Sequence, residues 1–144
     1  MTVSSSDRER FRDFAALHFD TGKILYEERE RELIGEGIAK FKLEGDAARG
    51  IVAVAAGAAC LVLERDLSRT MLAIMVELAG KRRAIDKRRF AQGVAILKAL
   101  TGGEMTEAQA RGWLKRLIVK AEFRIRRSGL LRRRRWFRRI RVDV

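Results

Sequence analysis

The sequence predicts an all-α protein, a compact bundle of about five to six helices followed by a basic C-terminal tail. Three observations carry that prediction. Apolar residues recur at helical spacing through most of the chain. The runs are separated by short polar or glycine breaks, such as Asp20-Thr21-Gly22, Gly45-Asp46 and Gly102-Gly103. The 144 residues contain no proline, the residue that most strongly ends or kinks a helix.

Each element follows from its own residues. Ser6 and Glu9 have capping-box spacing and open a first helix near Asp7, with Phe11, Phe14, Ala15 and His18 on its apolar face. A second helix spans about residues 23–43. Tyr26, Leu33, Ile34, Gly37, Ile38 and Phe41 form its inner face, and residues 27–32 form an acid-rich outer turn. The third helix, residues 47–63, is the most apolar. It carries no charge from Gly50 to Leu63, yet this run falls short of the roughly 20 residues that a membrane span needs. It is expected to form the centre of the core. A fourth helix, capped by Asp66 or Ser68, ends at Gly80 with Leu67, Met71, Ile74, Met75 and Leu78 inward.

After the basic joint Lys81-Arg82-Arg83, Asp86 caps a fifth helix over residues 87–100. Thr106 and Gln109 repeat the capping-box spacing and open a sixth helix over residues 107–127, ended by Ser128-Gly129. Residues 130–144 fit three states. One is a helix with Trp136, Phe137 and Ile140 on one side, another a strand alternating Ile140, Val142 and Val144 with charged residues. The third is a segment ordered only on binding. The domain expectation is a single helical domain over 1–128 and a basic tail over 129–144. No internal repeat is legible.

Charge narrows the function. The net charge is +13. Residues 1–80 hold 11 Lys/Arg against 14 Asp/Glu, whereas residues 81–144 hold 21 against 5. Arg outnumbers Lys by 24 to 8. Arginine's planar fork matches phosphate and stacks on rings, so the bias favours phosphate and nucleobase contacts. Codon bias can raise the Arg share, but it cannot segregate charge to one end of a chain.

On the sixth helix, Ala110, Leu114, Leu117, Ile118, Ala121 and Ile125 fall in one arc, the core stripe. Arg116, Lys120, Arg124 and Arg127 fall in a second, narrower arc that contains Trp113 and is bordered by Phe123. Cations to meet phosphates and a ring to stack on an unpaired base suit nucleic acid. Two further clusters extend the candidate surface: Arg82, Arg83, Arg88 and Arg89 near the joint, and Arg132, Arg133, Arg134, Arg135 and Trp136 in the tail. Three clusters spread along the chain suit an extended polyanion better than a membrane surface, although Arg with Trp on a short segment is also an interfacial pattern. RNA or single-stranded DNA is favoured over a specific duplex.

Catalysis is not expected. His18 reads as a core-edge residue on its helix's apolar side, and Cys60 as a small buried residue. One Cys and one His cannot make a structural zinc site, so no metal is expected. The carboxylates Glu27, Glu28, Glu30 and Glu32 are interrupted by arginines and read as a solvated face. No phosphate-cradling GxxxxGK[ST] or GxGxxG loop is present, and no cofactor is implied. The single cysteine excludes an internal disulfide, and residues 1–10 have no apolar signal core, so a cytoplasmic protein is expected.

In size, helical pattern and basic faces at residues 81–89 and 111–127, the chain resembles the small subunits of CRISPR effector complexes. That resemblance implies a non-catalytic α-helical subunit that contacts the nucleic-acid backbone without reading sequence, within a larger assembly. Head-to-tail contacts between the acidic second helix of one copy and the basic half of the next would build open rows of copies rather than closed dimers. Residues 96–106 also look like the helix-to-helix joint of winged-helix regulators, and residues 128–132 like the entry to a wing. A recognition helix would, however, need a break near Leu117. A membrane-surface cationic protein and an inhibitor of an acidic protein complete the alternatives.

Overall fold

A computed structural model describes residues 4–127 and 134–142. Its helices are α1 (Ser5–Leu17), α2 (Glu27–Phe41), α3 (Gly45–Ala58), α4 (Glu64–Ala79), α5 (Lys87–Leu100), α6 (Glu107–Lys120) and the single turn α7 (Arg135–Arg138). Four two-residue strands accompany them: β1 (Ile24–Leu25), β2 (Val62–Leu63), β3 (Ala84–Ile85) and β4 (Arg124–Ile125). The all-α prediction holds. The chain, read from sequence as a single helical domain over 1–128, divides into two compact units, Met1–Asp66 and Leu67–Val144. Among the described residues no helix is long and apolar enough to cross a membrane.

In the first unit α1 and α2 both pack on α3. Phe11, Ala15, Leu33, Ala48, Val52 and Ala56 are buried together. Gly37 sets the α1–α2 approach: a Cβ there would lie 2.6 Å from Phe11 Cζ, so only glycine lets the ring rest on the α2 backbone. Phe41 stands 5.3 Å from Phe11 and 5.4 Å from Phe14, ring centre to ring centre. β1 and β2 pair in parallel, Ile24 opposite Val62 and Leu25 opposite Leu63. Glu30 is buried, with Oε1 3.2 Å from Arg65 Nε in a poorly aligned contact. Burial pushes the Glu30 carboxyl above its ordinary range, against the opposite pull of Arg65.

The second unit repeats the order helix, strand, helix, helix, strand. β3 and β4 also pair in parallel, Ala84 opposite Arg124 and Ile85 opposite Ile125. The repeat extends to individual hydrogen bonds. Cys60 N–H donates to Gly57 O, Leu61 N–H to Ala56 O and Val62 N–H to Lys23 O; Glu122 N–H donates to Val119 O, Phe123 N–H to Ile118 O and Arg124 N–H to Arg83 O. Glycine again sets a close approach. A Cβ on Gly93 would lie 2.6 Å from Met75 Sδ on α4 and 2.9 Å from Leu114 Cδ2 on α6. The small partner is glycine in both units, but the bulky one differs: Phe11 against Gly37 in one, Met75 against Gly93 in the other.

Several element boundaries differ from the sequence expectation, for shared reasons. The second helix begins at Glu27 because Ile24 and Leu25 leave it to pair with β2. The third stops at Ala58 and the sixth at Lys120, where Cys60 and Glu122 take left-handed backbone, φ 58° in each. A left-handed residue other than glycine gives the sequence no break signal. Ser4, not Ser6, caps α1, accepting the Ser6 N–H at 3.0 Å. Asp66 and Ser68 lie inside α4, which starts at Glu64, so neither caps it. The other caps are as expected. Asp86 accepts the Arg89 N–H at 2.7 Å, and Thr106 and Gln109 close a reciprocal capping box at 2.9 and 3.2 Å.

Candidate nucleic-acid interface

The second unit carries the charge. Residues 67–144 hold 22 Lys/Arg against 6 Asp/Glu, and residues 1–66 hold 10 against 13. The candidate interface is therefore built entirely within the second unit.

The basic joint divides by role. Arg82 and Arg88 are exposed, and among the described residues neither is paired with a carboxylate. Arg83 acts as a brace. Its backbone is left-handed (φ 49°), its Nη2 donates to Ala121 O at 3.0 Å, and its guanidinium lies 4.9 Å from the Phe123 ring centre. Arg89 is half-buried, with Nη1 3.4 Å from Asp86 Oδ2, so it secures the start of α5.

The expected basic arc of the sixth helix is dismantled. Because α6 ends at Lys120, only Arg116 and Lys120 share it, and both are exposed. Arg124 belongs to β4, and Arg127 lies beyond that strand; both are exposed. Trp113 is 6% exposed, inside the core with Leu114 and Ile118, and cannot stack on an unpaired base from there. Its helical position places it inside the basic arc, and the structure overrides that position. Large aromatic area favours the core, and burial decides which side it joins.

The tail returns to the body of the second unit. Arg132 and Arg133 lie outside the described residues, as does the wing-like segment 128–132. Arg134 precedes α7 and Arg135 opens it; both are exposed. Phe137 and Ile140 are buried, which favours the helical alternative for this segment. Trp136 is half-buried: its Nε1 donates to Arg126 O at 3.1 Å, and its ring meets Phe90 edge-on at 5.5 Å. Trp136 thus serves as an anchor for the tail. Lys115 Nζ donates to Ile140 O at 3.0 Å and lies 5.1 Å from the Phe137 ring centre. Gly112 lets the returning chain close in, since a Cβ there would lie 2.7 Å from Arg141 O.

This return encloses a cleft of about 510 Å³ lined by Phe123, Arg124, Ile125, Arg134, Phe137 and Arg138. Arg124 of β4 and Arg134 and Arg138 of the tail share this lining with aromatic and aliphatic side chains, and no carboxylate is among the described residues that line it. Arg124 and Arg134 are expected in a basic surface, with Phe123 at its border; that they line one cleft, with Arg138 and Phe137, is not. The signal that could have found them is the docking of tail aromatics onto Phe90, which no local pattern encodes.

The residues considered for chemistry lie in the first unit. His18 is exposed rather than at the core edge; its ring stacks 4.0 Å from that of Phe14, and Nδ1 donates to Phe14 O at 2.7 Å. Cys60 is exposed rather than buried, because the left-handed turn after α3 carries it outward. Among the described residues no group of three or more His, Cys, Asp or Glu is placed to hold a metal. A scan against protein-family models, a search of curated proteins and a search of solved structures each return no match.

Proposed function

We propose that this protein is a non-catalytic nucleic-acid-binding helical subunit of a nucleoprotein assembly. It contacts the RNA or single-stranded DNA backbone through its second unit, without reading sequence. The observation that carries the reading is the cleft lined by Arg124, Arg134 and Arg138, with no carboxylate among its described lining residues, within a unit of strongly positive charge. Exposed Arg82, Arg88, Arg116, Lys120, Arg127 and Arg135 extend the positive surface. Such a surface neutralises phosphates and releases their counterions, giving affinity that is steeply salt-dependent and indifferent to sequence. The role matches what the resemblance to CRISPR effector small subunits implies, including partner proteins or further copies in the assembly.

Fluorescence anisotropy with labelled single-stranded RNA, single-stranded DNA and duplexes of mixed sequence tests the reading. Binding to single strands at low salt is expected, with affinity falling steeply as salt rises and changing little with sequence. Changing Arg82, Arg88, Arg116 and Lys120 together to Gln is expected to weaken it at least tenfold. Preference for one duplex sequence would point to a regulator instead. No binding at low salt, with co-sedimentation on anionic vesicles, would replace nucleic acid with a membrane surface.

A further inference from the structure

The cleft has a construction that a general basic surface lacks. Its cations come from two parts of the chain. Arg124 stands on β4, fixed by the parallel pairing with β3 and by its N–H bond to Arg83 O at 2.8 Å. Arg134 and Arg138 flank and end α7, whose place depends on Phe137, Trp136 and Ile140. Three like charges lining one cleft repel each other, and that repulsion opposes the docking of the tail. No described carboxylate relieves it within the cleft. An anion seated there would add three attractions that offset the three repulsions.

The geometry points to a phosphate clamp: one phosphate of a bound strand sits between Arg124 on β4 and Arg134 and Arg138 of the tail, and its binding locks the tail in place. This rests on the nucleic-acid reading above and adds to it a particular site and a conformational consequence. The chemistry selects phosphate because guanidinium forks pair with its oxygens two at a time. The volume suits it too: about 510 Å³ is many times the roughly 30 Å³ that a water occupies in the liquid, so a phosphate enters with some of its hydration. The floor of Phe123, Ile125 and Phe137 excludes water from one side, which strengthens the charge-assisted bonds. Binding and docking are then linked: a ligand that favours the docked tail must itself be bound less tightly when the tail is loose.

Limited trypsin digestion reads the clamp, because the tail offers cleavage after Arg135 and Arg139, which are outside the proposed clamp and remain in the variant used below. Cleavage after Arg8, Arg10 and Arg12 in the first unit serves as an internal control. The full chain is titrated with a short single-stranded RNA and, separately, with inorganic phosphate. The comparison is the triple variant Arg124→Gln, Arg134→Gln, Arg138→Gln, with circular dichroism to verify its helices. Tail cleavage in the wild type is expected to slow at least fivefold with RNA while the control sites are unchanged. In the triple variant RNA affinity is expected to drop, by about tenfold for each guanidinium–phosphate pairing lost. As a second measurement, Trp136 fluorescence in a Trp113→Phe background is expected to shift on binding in the native cleft and not in the triple variant.

If the triple variant binds RNA as tightly as the wild type, the clamp is overturned while the nucleic-acid reading stands. If RNA does not bind but inorganic phosphate protects the tail through the same three arginines, the cleft is a phosphate site and the nucleic-acid reading falls. If neither probe protects the tail, the clamp is wrong. Anisotropy with the same RNA then decides the broader reading separately.

Discussion

Cys60 and Glu122 share one backbone conformation, left-handed with φ 58° in both, at the same point after α3 and α6. Each is followed by the same pattern, in which the next residue's N–H returns to the helix and the one after that enters a parallel strand pair. Two units of one chain thus reach the same turn with unrelated side chains, neither of them glycine. The turn is set by the strand pairing that follows it.

The first prediction concerns the strain in that turn. A left-handed residue bearing a Cβ costs about 1–2 kcal/mol, and glycine relieves it at an unfolded-state cost of about 0.4–1 kcal/mol. Both side chains are exposed, so little packing is lost. Cys60→Gly and Glu122→Gly are each expected to stabilise by about 0.5–1 kcal/mol in urea denaturation. The reverse change at Gly80 (φ 68°), Gly80→Ala, is expected to destabilise by about 1 kcal/mol.

This turn also marks the limit of what the sequence reveals. Helical runs longer than ten residues were legible, because 3.6-residue periodicity and local caps at Asp86 and Thr106 are written in neighbouring positions. Two-residue strands are too short to show a period, so β1, β2 and β4 were absorbed into adjoining helices. The burial of Trp113 and the docking of Trp136 escape the sequence for a related reason. An aromatic among arginines reads as a ring beside cations, and only long-range packing turns Trp113 into the core and Trp136 against Phe90. The charge asymmetry itself was legible. That Arg124 lines one cleft with Arg134 and Arg138 was not, since it depends on how the tail docks.

The second prediction separates glycines that make room from glycines that do not. Alanine at Gly37 would press on Phe11, and overpacking costs about 1–3 kcal/mol against a helix-propensity gain of about 1. Gly37→Ala is therefore expected to destabilise by about 1–2 kcal/mol, with Phe11→Leu in the same chain recovering part of the loss. Gly93→Ala should cost less, because the atom it meets first is the thioether of flexible Met75. Gly35 and Gly50 have nothing within 4 Å of an added Cβ, so alanine there is expected to stabilise by about 0.5–1 kcal/mol. Equal effects at all four positions in thermal or urea unfolding would contradict the packing described.

The third prediction concerns Glu30. Its carboxyl is raised by burial more than Arg65 and Arg49 lower it. The folded state therefore holds this proton at a higher pH than the unfolded chain does. The associated stability is complete below the ordinary carboxylate pKa and is lost as pH rises through the raised value. Glu30→Gln keeps the shape and removes the titration. Its stability relative to the wild type is expected to improve as pH rises from about 4 toward 7, above the ordinary carboxylate range. Denaturation midpoints of both proteins across that range check this. A difference that stays constant with pH would mean that Glu30 titrates like an exposed carboxylate.

The fourth prediction turns the cleft into a number. For single-stranded nucleic acid the slope of log affinity on log salt is about −0.7 for each phosphate neutralised. Because Arg124, Arg134 and Arg138 together hold one phosphate in the clamp, replacing all three by Gln should make the slope shallower by about 0.7. Replacing Arg83 and Arg89 by Gln should leave the slope nearly unchanged, because one braces Ala121 and Phe123 and the other pairs with Asp86. The pair of measurements separates arginines that meet the ligand from arginines that hold the fold. A structural arginine lowers stability and leaves the salt slope alone, whereas a phosphate-binding arginine changes the slope and leaves the unfolding midpoint without ligand unchanged or raised, since removing it relieves like-charge repulsion in the empty cleft.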